Sequence, residues 1–357
     1  MATIDLQDAA AIRTADTQGM LALQIGYPQQ FREGIALARA FSLPPLPADL
    51  HEVVILGTGG GSAASGQLLR SYLFHEAKVP IQVVQGYNCP GYVDEHSVVI
   101  AVSHSGKTEE INSSFEQAAR TGATLVAMGA GGRLKETATR LGAPYLDVPG
   151  GLMPRVAIGY IFVPILLMLE RWGLCGDQSQ ALAESLDLLA ALASEYGPES
   201  PVERNLAKQV TREIMDKIPV IYGFADHFDA VAWRWKNQLG ENGKYMAFWN
   251  TIPHLHHDEA VGWDMQPELL RQLAFVLLRD RAGESAQMQK RWTATREILA
   301  ERAGACVEVW SRGESLLARM LSLVVLGDFV SCYMAIAKGV DPTPVAIIDF
   351  FKKKVCQ

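Results

Sequence analysis

Short apolar runs alternate with helical stretches along most of this chain, and that alternation limits the possible folds more than any other feature. Val53-Val54-Ile55-Leu56, Ile81-Gln82-Val83-Val84, Val98-Val99-Ile100-Ala101-Val102, Leu125-Val126-Ala127-Met128 and Tyr145-Leu146-Asp147-Val148 read as strands. Short apolar strands separated by helices indicate a parallel sheet covered on both faces. From about Met153 to Lys217 helical periodicity takes over, broken once by Gly197-Pro198 with Pro201. The alternation then resumes. Pro219-Val220-Ile221-Tyr222, Leu273–Leu278 and Ala305–Val309 are the next strands, with helices running to about Glu241 and over Ser285–Arg302. The expected fold is α/β: two units, each a parallel sheet sandwiched by helices, with flanking helices. The expected segments are N-terminal helices over 1–44, a first sheet unit over 45–152, connecting helices over 153–200, a second sheet unit over 201–311 and C-terminal helices over 312–357. A length of 357 residues agrees with about two domains of roughly 150 residues each.

Composition removes several function classes. Apolar residues make up 49% and charged residues 20%, which describes a large packed core and not a disordered chain. With 32 basic and 39 acidic residues the net charge is −7, and no like-charge block exceeds Lys352-Lys353-Lys354, so no nucleic-acid partner is expected. The 5 cysteines are odd in number and form no CxxC pair, which argues for a reducing compartment and against a disulfide framework or cysteine zinc site. The N-terminus has no basic segment followed by an apolar run, so no signal peptide is expected. Val156–Leu169 is too short to span a bilayer and contains Pro164. Leu316–Ala337 is long enough, but Arg319 and Asp328 inside it would cost about 2.5–3.5 kcal/mol each at mid-bilayer. Both are expected to be buried core helices, with no membrane association.

Two strand-to-helix turns in the first unit could bind a ligand. Gly57-Thr58-Gly59-Gly60-Gly61-Ser62 removes side chains where backbone would have to approach a ligand, at the N-terminus of a helix that favours anions. Ser103-His104-Ser105-Gly106-Lys107-Thr108 repeats the device with hydroxyls. Both follow parallel strands, at the end where open α/β sheets place ligands. A dinucleotide fingerprint would require glycine where Ser62 stands, and no GxxxxGK[ST] loop is present. Either turn alone could be an ordinary helix cap. Two in one sheet point to a small phosphate-bearing ligand.

Several motifs carry a family resemblance. The S-x-S-G-x-T-E run from Ser103 to Glu109, after the glycine turn, resembles the signature of sugar isomerase (SIS) domains, which cradles the phosphate of a phosphosugar. Pro154-Arg155 resembles the P-R motif of the bifunctional phosphoglucose/phosphomannose isomerases, and Glu241-Asn242-Gly243-Lys244 their E-N-x-K motif. The stretch from Pro253 to Trp263 is similar to their P-E-L-N-H-N-E-x-V-G-W, and Asp341-Pro342-Thr343-Pro344-Val345 with Lys352 to their C-terminal end. The resemblance runs from about Gly57 to Lys352. The chain departs from the pattern in one extra glycine in the first turn, in Lys107, and in His254, His256 and Asp258 around His257.

The resemblance implies two SIS-type units that isomerise glucose 6-phosphate, and mannose 6-phosphate, to fructose 6-phosphate through a cis-enediol. It implies no cofactor and no metal, a cytoplasmic homodimer with a shared active site, and His257 supplied by the partner subunit. Gly59, Gly60, Ser62, Ser103, Ser105 and Thr108 would hold the phosphate. The chemistry requires a carboxylate near two adjacent carbons, a cation for the enediolate oxygen and an acid–base group to open the ring. Glu241, Arg155 and His257 would fill those roles, with Lys352 assisting at the ring or holding a hydroxyl. His257 has an ordinary pKa suited to proton transfer near neutrality. A non-catalytic phosphosugar-binding protein, or an SIS deglycase or aminosugar-phosphate isomerase, would share the phosphate turns. His254-x-His256-His257, with Asp258 and Glu259 as adjoining carboxylates, is a weak metal pattern. Trp233, Trp235, Trp249 and Trp263 fit core packing or a dimer interface.

Overall fold

The computed structural model describes residues 3–264 and 266–355. It contains two parallel sheets. The first has β1 (Glu52–Leu56), β2 (Ile81–Val84), β3 (Ser97–Val102), β4 (Thr124–Gly129) and β5 (Tyr145–Asp147), in the order β2-β1-β3-β4-β5. The second has β6 (Ile218–Phe224), β7 (Phe248–Ile252), β8 (Leu273–Arg279) and β9 (Ala305–Trp310), in the order β7-β6-β8-β9. All strand pairs are parallel, as expected of strands joined by helical crossovers. The described chain divides into two compact units. One is Gly26–Asp187 with Ser315–Ala318 and contains the first sheet; the rest contains the second.

In the first unit, β3 is buried along its whole length, which is why it reads as an unbroken apolar run. Val54, Leu56, Val99 and Ala101 pack with Ile111, Phe115, Leu134 and Ala138 from the helices Glu109–Ala118 and Gly132–Leu141. The helix Ala64–Tyr72 covers the other face so closely that a Cβ on Gly66 would lie 3.2 Å from both Ile55 and Val83. The helix Tyr27–Ala40 crosses Ile158–Arg171, where a Cβ on Gly34 would lie 2.3 Å from the Gly159 carbonyl oxygen. Glycine at both positions lets those backbones touch. Ile158–Arg171 is apolar around most of its circumference and buried up to its last turn.

In the second unit, the helix Asp229–Glu241 lies against Leu316–Ala337 through a polar stripe. Arg234, Gln238 and Asn242 recur every four residues on one face. The Arg234 guanidinium donates to both Asp328 carboxylate oxygens, at 3.2 and 2.6 Å. Gln238 Nε2 donates to Asp328 Oδ1 at 2.8 Å and Asn242 Nδ2 to Ser331 Oγ at 3.0 Å. Trp235 packs on Gly327 and donates its indole N–H to the Leu323 carbonyl at 2.7 Å. Among the described residues, Leu316–Ala337 is the one helix long and apolar enough to cross a membrane by length and composition, and it is buried inside the protein. Its Asp328, which argued against a span, is the buried partner of Arg234.

The sequence reading misses β7. Phe248, Trp249, Asn250 and Thr251 show neither an apolar run nor a period of two, because on this strand the two aromatic residues are exposed and the polar pair is half-buried. Trp235 and Trp263 are core residues. Cys89, Cys175, Cys306 and Cys332 are free thiols, and burial with nearby Glu76 pushes Cys175 up to about 12; Cys356 lies outside the described residues. Removing one member of a buried ion pair leaves the other charge uncompensated, at about 3–5 kcal/mol. Asp328→Ala is therefore expected to lower unfolding stability by that amount in urea denaturation. A change within about 0.5 kcal/mol, as for a surface site, would contradict the structural role of this pair.

Candidate active site

The two candidate turns of the first unit lie beside each other because β1 and β3 are neighbours. Leu56 pairs with Ala101, so Gly57 and Ser103 begin their turns one residue apart in register. The sheet order reverses between β1 and β3: the chain goes to one side for β2 and to the other for β4. In open α/β sheets such a reversal leaves a crevice at the carboxyl ends of the two strands, where ligands bind.

The first turn is built from glycine for identifiable steric reasons. Gly59–Ala63 forms a wide helical turn opening the helix Ala64–Tyr72. Gly59 has φ +69°, a left-handed value that favours glycine, and a Cβ there would meet nothing within 4 Å. A Cβ on Gly61 would lie 2.5 Å from the Pro154 carbonyl oxygen. The glycine turn and the Pro154–Val156 turn are therefore in backbone contact, which brings Arg155 to the edge of the same turn. Arg155 is 2% exposed and so is not a surface cation. Gly60 and Ser62 are also buried.

The second turn presents hydroxyls. Ser103 Oγ and Thr108 Oγ1 are 2.8 Å apart and hydrogen-bonded to each other. One hydroxyl hydrogen closes that bond, leaving the other for an acceptor. Ser105 is exposed, and its Oγ accepts from the Lys107 backbone N–H at 3.3 Å, leaving its own O–H free to donate. Thr108 caps the helix Glu109–Ala118 without a side-chain bond to that helix's amides. Asn112 holds the turn from below, donating to the Gly106 and Thr108 carbonyls at 3.3 and 2.8 Å. Gly106, at φ +66°, sits against Gly131, where a Cβ would come within 1.7 Å of the carbonyl oxygen. His104 points away from the hydroxyls. Its Nε2–H donates to the Pro149 carbonyl at 3.1 Å, and burial holds its pKa below the usual value. Unpaired hydroxyl donors beside two helix N-termini suit a ligand rich in acceptors, as phosphate is.

The second sheet repeats the order of the first four strands of the first sheet, without a fifth, but its turns differ. After β8, Arg279 makes two 2.8 Å bonds to Glu284 and also pairs with Glu308. Asp280 accepts from Ser311 Oγ at 2.6 Å and pairs with Arg319 at 2.9 Å. These ion pairs occupy the position that the hydroxyl turn holds in the first unit.

Glu241, His257 and Lys352 all belong to the second unit. Glu241 is the last residue of the helix Asp229–Glu241 and is half-buried. His257 lies on the short helix Leu255–Asp258 after β7. Buried Leu255 and Trp263 anchor that loop, and Glu259 accepts from the Tyr222 hydroxyl and from Asn250 Nδ2 at 2.7 Å. Burial and the Glu259 carboxylate raise the Tyr222 pKa, keeping it a donor.

The three loop histidines separate by partner. His256 turns inward, its Nδ1 accepting from Arg291 at 3.0 Å while its Nε2 meets Thr295 Oγ1 at 2.7 Å. Burial and the Arg291 charge lower its pKa, consistent with a neutral ring. His254 pairs with Asp258 at 3.0 Å. The His257 side chain is exposed and makes no hydrogen bond among the described residues, so its ring is open to a ligand. The three therefore do not converge on a metal. Asp49, His51 and His96 do bring donor atoms within 4.8 Å, but at the amino ends of β1 and β3, away from the turns. Lys352 is exposed on the helix Ala346–Val355.

Comparison with known proteins agrees with this architecture. Residues 203–355 match the model described as the bacterial phospho-glucose isomerase C-terminal SIS domain. A bifunctional phosphoglucose/phosphomannose isomerase of Caldicellulosiruptor bescii is 37% identical over 330 residues, covering 92% of this chain and 97% of the relative. The chain belongs to the bifunctional phosphoglucose/phosphomannose isomerase family. A second member of that name, from Thermoplasma acidophilum, is 32% identical over 85% of this chain and 89% of its own. Among solved structures, a putative phosphosugar isomerase from Clostridium difficile shares the fold, with a TM-score of 0.69 at 15% identity, over 94% of this chain and 97% of that one. Both sheet units are SIS-type α/β layers, as the sequence resemblance implied.

Lys244 is the residue to which the sequence reading gave no role. It stands in the Glu241–Lys244 motif, and its ammonium contacts the Pro342–Pro344 segment. The free Ser105 hydroxyl yields a test of the phosphate turns. A lost hydrogen bond to a charged group costs about 1.5–3 kcal/mol, so Ser105→Ala is expected to weaken glucose 6-phosphate binding about tenfold or more, measured by calorimetry. Unchanged affinity in the folded variant would remove this turn from the site.

Proposed function

We propose that this protein interconverts glucose 6-phosphate and mannose 6-phosphate with fructose 6-phosphate. The observation that carries the reading is the pairing of a glycine turn with a hydroxyl turn at the β1/β3 crevice, in a chain 37% identical to a named isomerase of this type. Gly59, Gly60, Ser62, Ser103, Ser105 and Thr108 are proposed to receive the phosphate, the backbone amides and hydroxyls donating to its oxygens. Binding there fixes one end of the sugar, and the remaining groups act at C1 and C2.

The reaction removes the C2 proton of the open-chain aldose and returns a proton to C1. In this reading Glu241 takes the C2 proton, forming a cis-enediol, and delivers it to C1, while the O2 proton passes to O1. Arg155 stabilises negative charge on the enediolate oxygen, where a fixed cation is worth most. His257 protonates the ring oxygen during opening, and Lys352 assists there or holds a hydroxyl. Glucose and mannose phosphates differ in configuration at C2, which becomes planar in the enediol, so both lead to one intermediate, and one base serves both when rotation about C2–C3 turns each C2–H toward it. A non-catalytic phosphosugar-binding protein would have no need of Glu241, Arg155, His257 and Lys352 at the matching positions.

A cytoplasmic homodimer sharing its site, with His257 of the partner subunit completing it, belongs to the same proposal. The exposed apolar residues Ile347, Phe350 and Phe351 on the last helix, with Met246, Phe248 and Trp249 at β7, support an interface between copies.

Two experiments check the proposal. Loss of a general base costs about 10²–10⁴-fold, so Glu241→Gln should lower kcat by that factor with KM little changed; wild-type turnover would remove Glu241 as the base. Mixing inactive Glu241→Gln with inactive His257→Ala should restore part of the activity if two subunits build each site. No recovery under demonstrated subunit exchange would place His257 outside a shared site.

A further inference from the structure

A single ammonium group joins the helix end that carries Glu241 to the segment that precedes the last helix. Lys244 Nζ donates to the carbonyl of Glu241 at 2.5 Å, of Pro342 at 2.8 Å and of Pro344 at 2.6 Å. An ammonium has three donors, so one side chain can serve all three carbonyls. Pro342 is 98 positions away in sequence, so the contact is tertiary and not a local cap. Soon after Pro344 the chain enters the helix Ala346–Val355, which carries Lys352.

The backbone at Lys244 argues that its side chain is required. Its φ is +61°, in the left-handed region, where a residue with a Cβ pays about 1–2 kcal/mol that glycine does not. Gly243 before it is fixed by contact, since a Cβ there would lie 2.7 Å from the Leu239 carbonyl oxygen. Asn242 is committed to Ser331. In this short turn Asn242 seats the helix on its neighbour, Gly243 permits the close turn, and Lys244 reaches across to the Pro342–Pro344 segment.

We infer that Lys244 is a positioning residue for isomerisation, holding the Glu241 main chain and the start of the Lys352 helix in one fixed arrangement. The inference rests on the reading of Glu241 as the base. Lys244 acts through the Glu241 carbonyl, so it orients the proton-transfer group without itself moving a proton. Misplacing a reacting group by about 1 Å can cost about 10²-fold in rate. The loss should fall on kcat, because the phosphate turns belong to the other unit and keep their contacts.

The test is steady-state kinetics on full-length Lys244→Gly and Lys244→Met, beside Glu241→Gln, with folding checked by circular dichroism. Glycine adopts the left-handed backbone without steric cost, so Lys244→Gly removes the ammonium while relieving the backbone. Both Lys244 variants are expected to lose about 10²-fold in kcat with KM within about threefold of wild type. If Glu241→Gln is inactive while both Lys244 variants turn over at the wild-type rate, the inference fails and the reading of Glu241 stands. If Glu241→Gln turns over normally, the reading of Glu241 fails first. A rise in KM equal to the loss in kcat, or loss of folded protein in both variants, would assign Lys244 a general structural role and overturn the proposal.

Discussion

The parallel pairing of β1 with β3 is the constraint on which the candidate site depends. That pairing puts two strand ends, and so two helix-opening turns, side by side at the one place where the sheet order reverses. Everything local to the turns follows from having to pack there. Gly61 is glycine because the Pro154 carbonyl lies where a Cβ would go, and Gly106 because Gly131 does. Arg155, next to the Pro154 that meets the glycine turn, is buried. The second sheet repeats the order through β7, β6, β8 and β9, but Arg279, Asp280, Glu284 and Glu308 fill the matching turn with ion pairs. Equal topology thus leaves one crevice with unpaired donors and the other internally neutralised.

The second unit fixes its contribution by a different means. Arg234, Gln238 and Asn242 form one buried polar stripe, and a buried ion pair offers little net stability over well-packed apolar residues. Its physical consequence is geometric: a bidentate guanidinium on Asp328 sets the rotation of the helix Asp229–Glu241 about its axis. Glu241 follows Gln238 by one turn and precedes Asn242, so the same stripe settles the direction in which its side chain leaves the helix. The histidine loop is organised in the same way, with His256, Glu259 and Trp263 turned inward and His257 left outward.

Much of this was legible in the sequence. The strands of both sheets except β7 are visible as short, mostly apolar runs; the other edge strands β2, β5 and β9 still bury part of their apolar side chains, whereas β7 exposes Phe248 and Trp249 and continues in Asn250 and Thr251. The two turns were visible as Gly57–Ser62 and Ser103–Thr108, since each alone fits a helix cap but two in one sheet point to a ligand. Side-chain partners were not legible. Nothing in His254-x-His256-His257 tells which ring is inward, because that depends on Arg291 and Thr295, some 35 to 39 positions away. Likewise Lys244 could not be assigned from Glu241-Asn242-Gly243-Lys244, since its acceptors lie near the other end of the chain.

The central claim is that one chain transfers a proton between C2 and C1 of a hexose 6-phosphate through an enediol. Proton magnetic resonance of the products formed in deuterated water from glucose 6-phosphate, and separately from mannose 6-phosphate, tests it directly. The account predicts fructose 6-phosphate from both sugars, with solvent deuterium appearing at C1, because an abstracted proton on a carboxylate exchanges with water in a fraction of turnovers. Bound sugar phosphate that yields no fructose 6-phosphate, or product free of deuterium from both sugars, would contradict it.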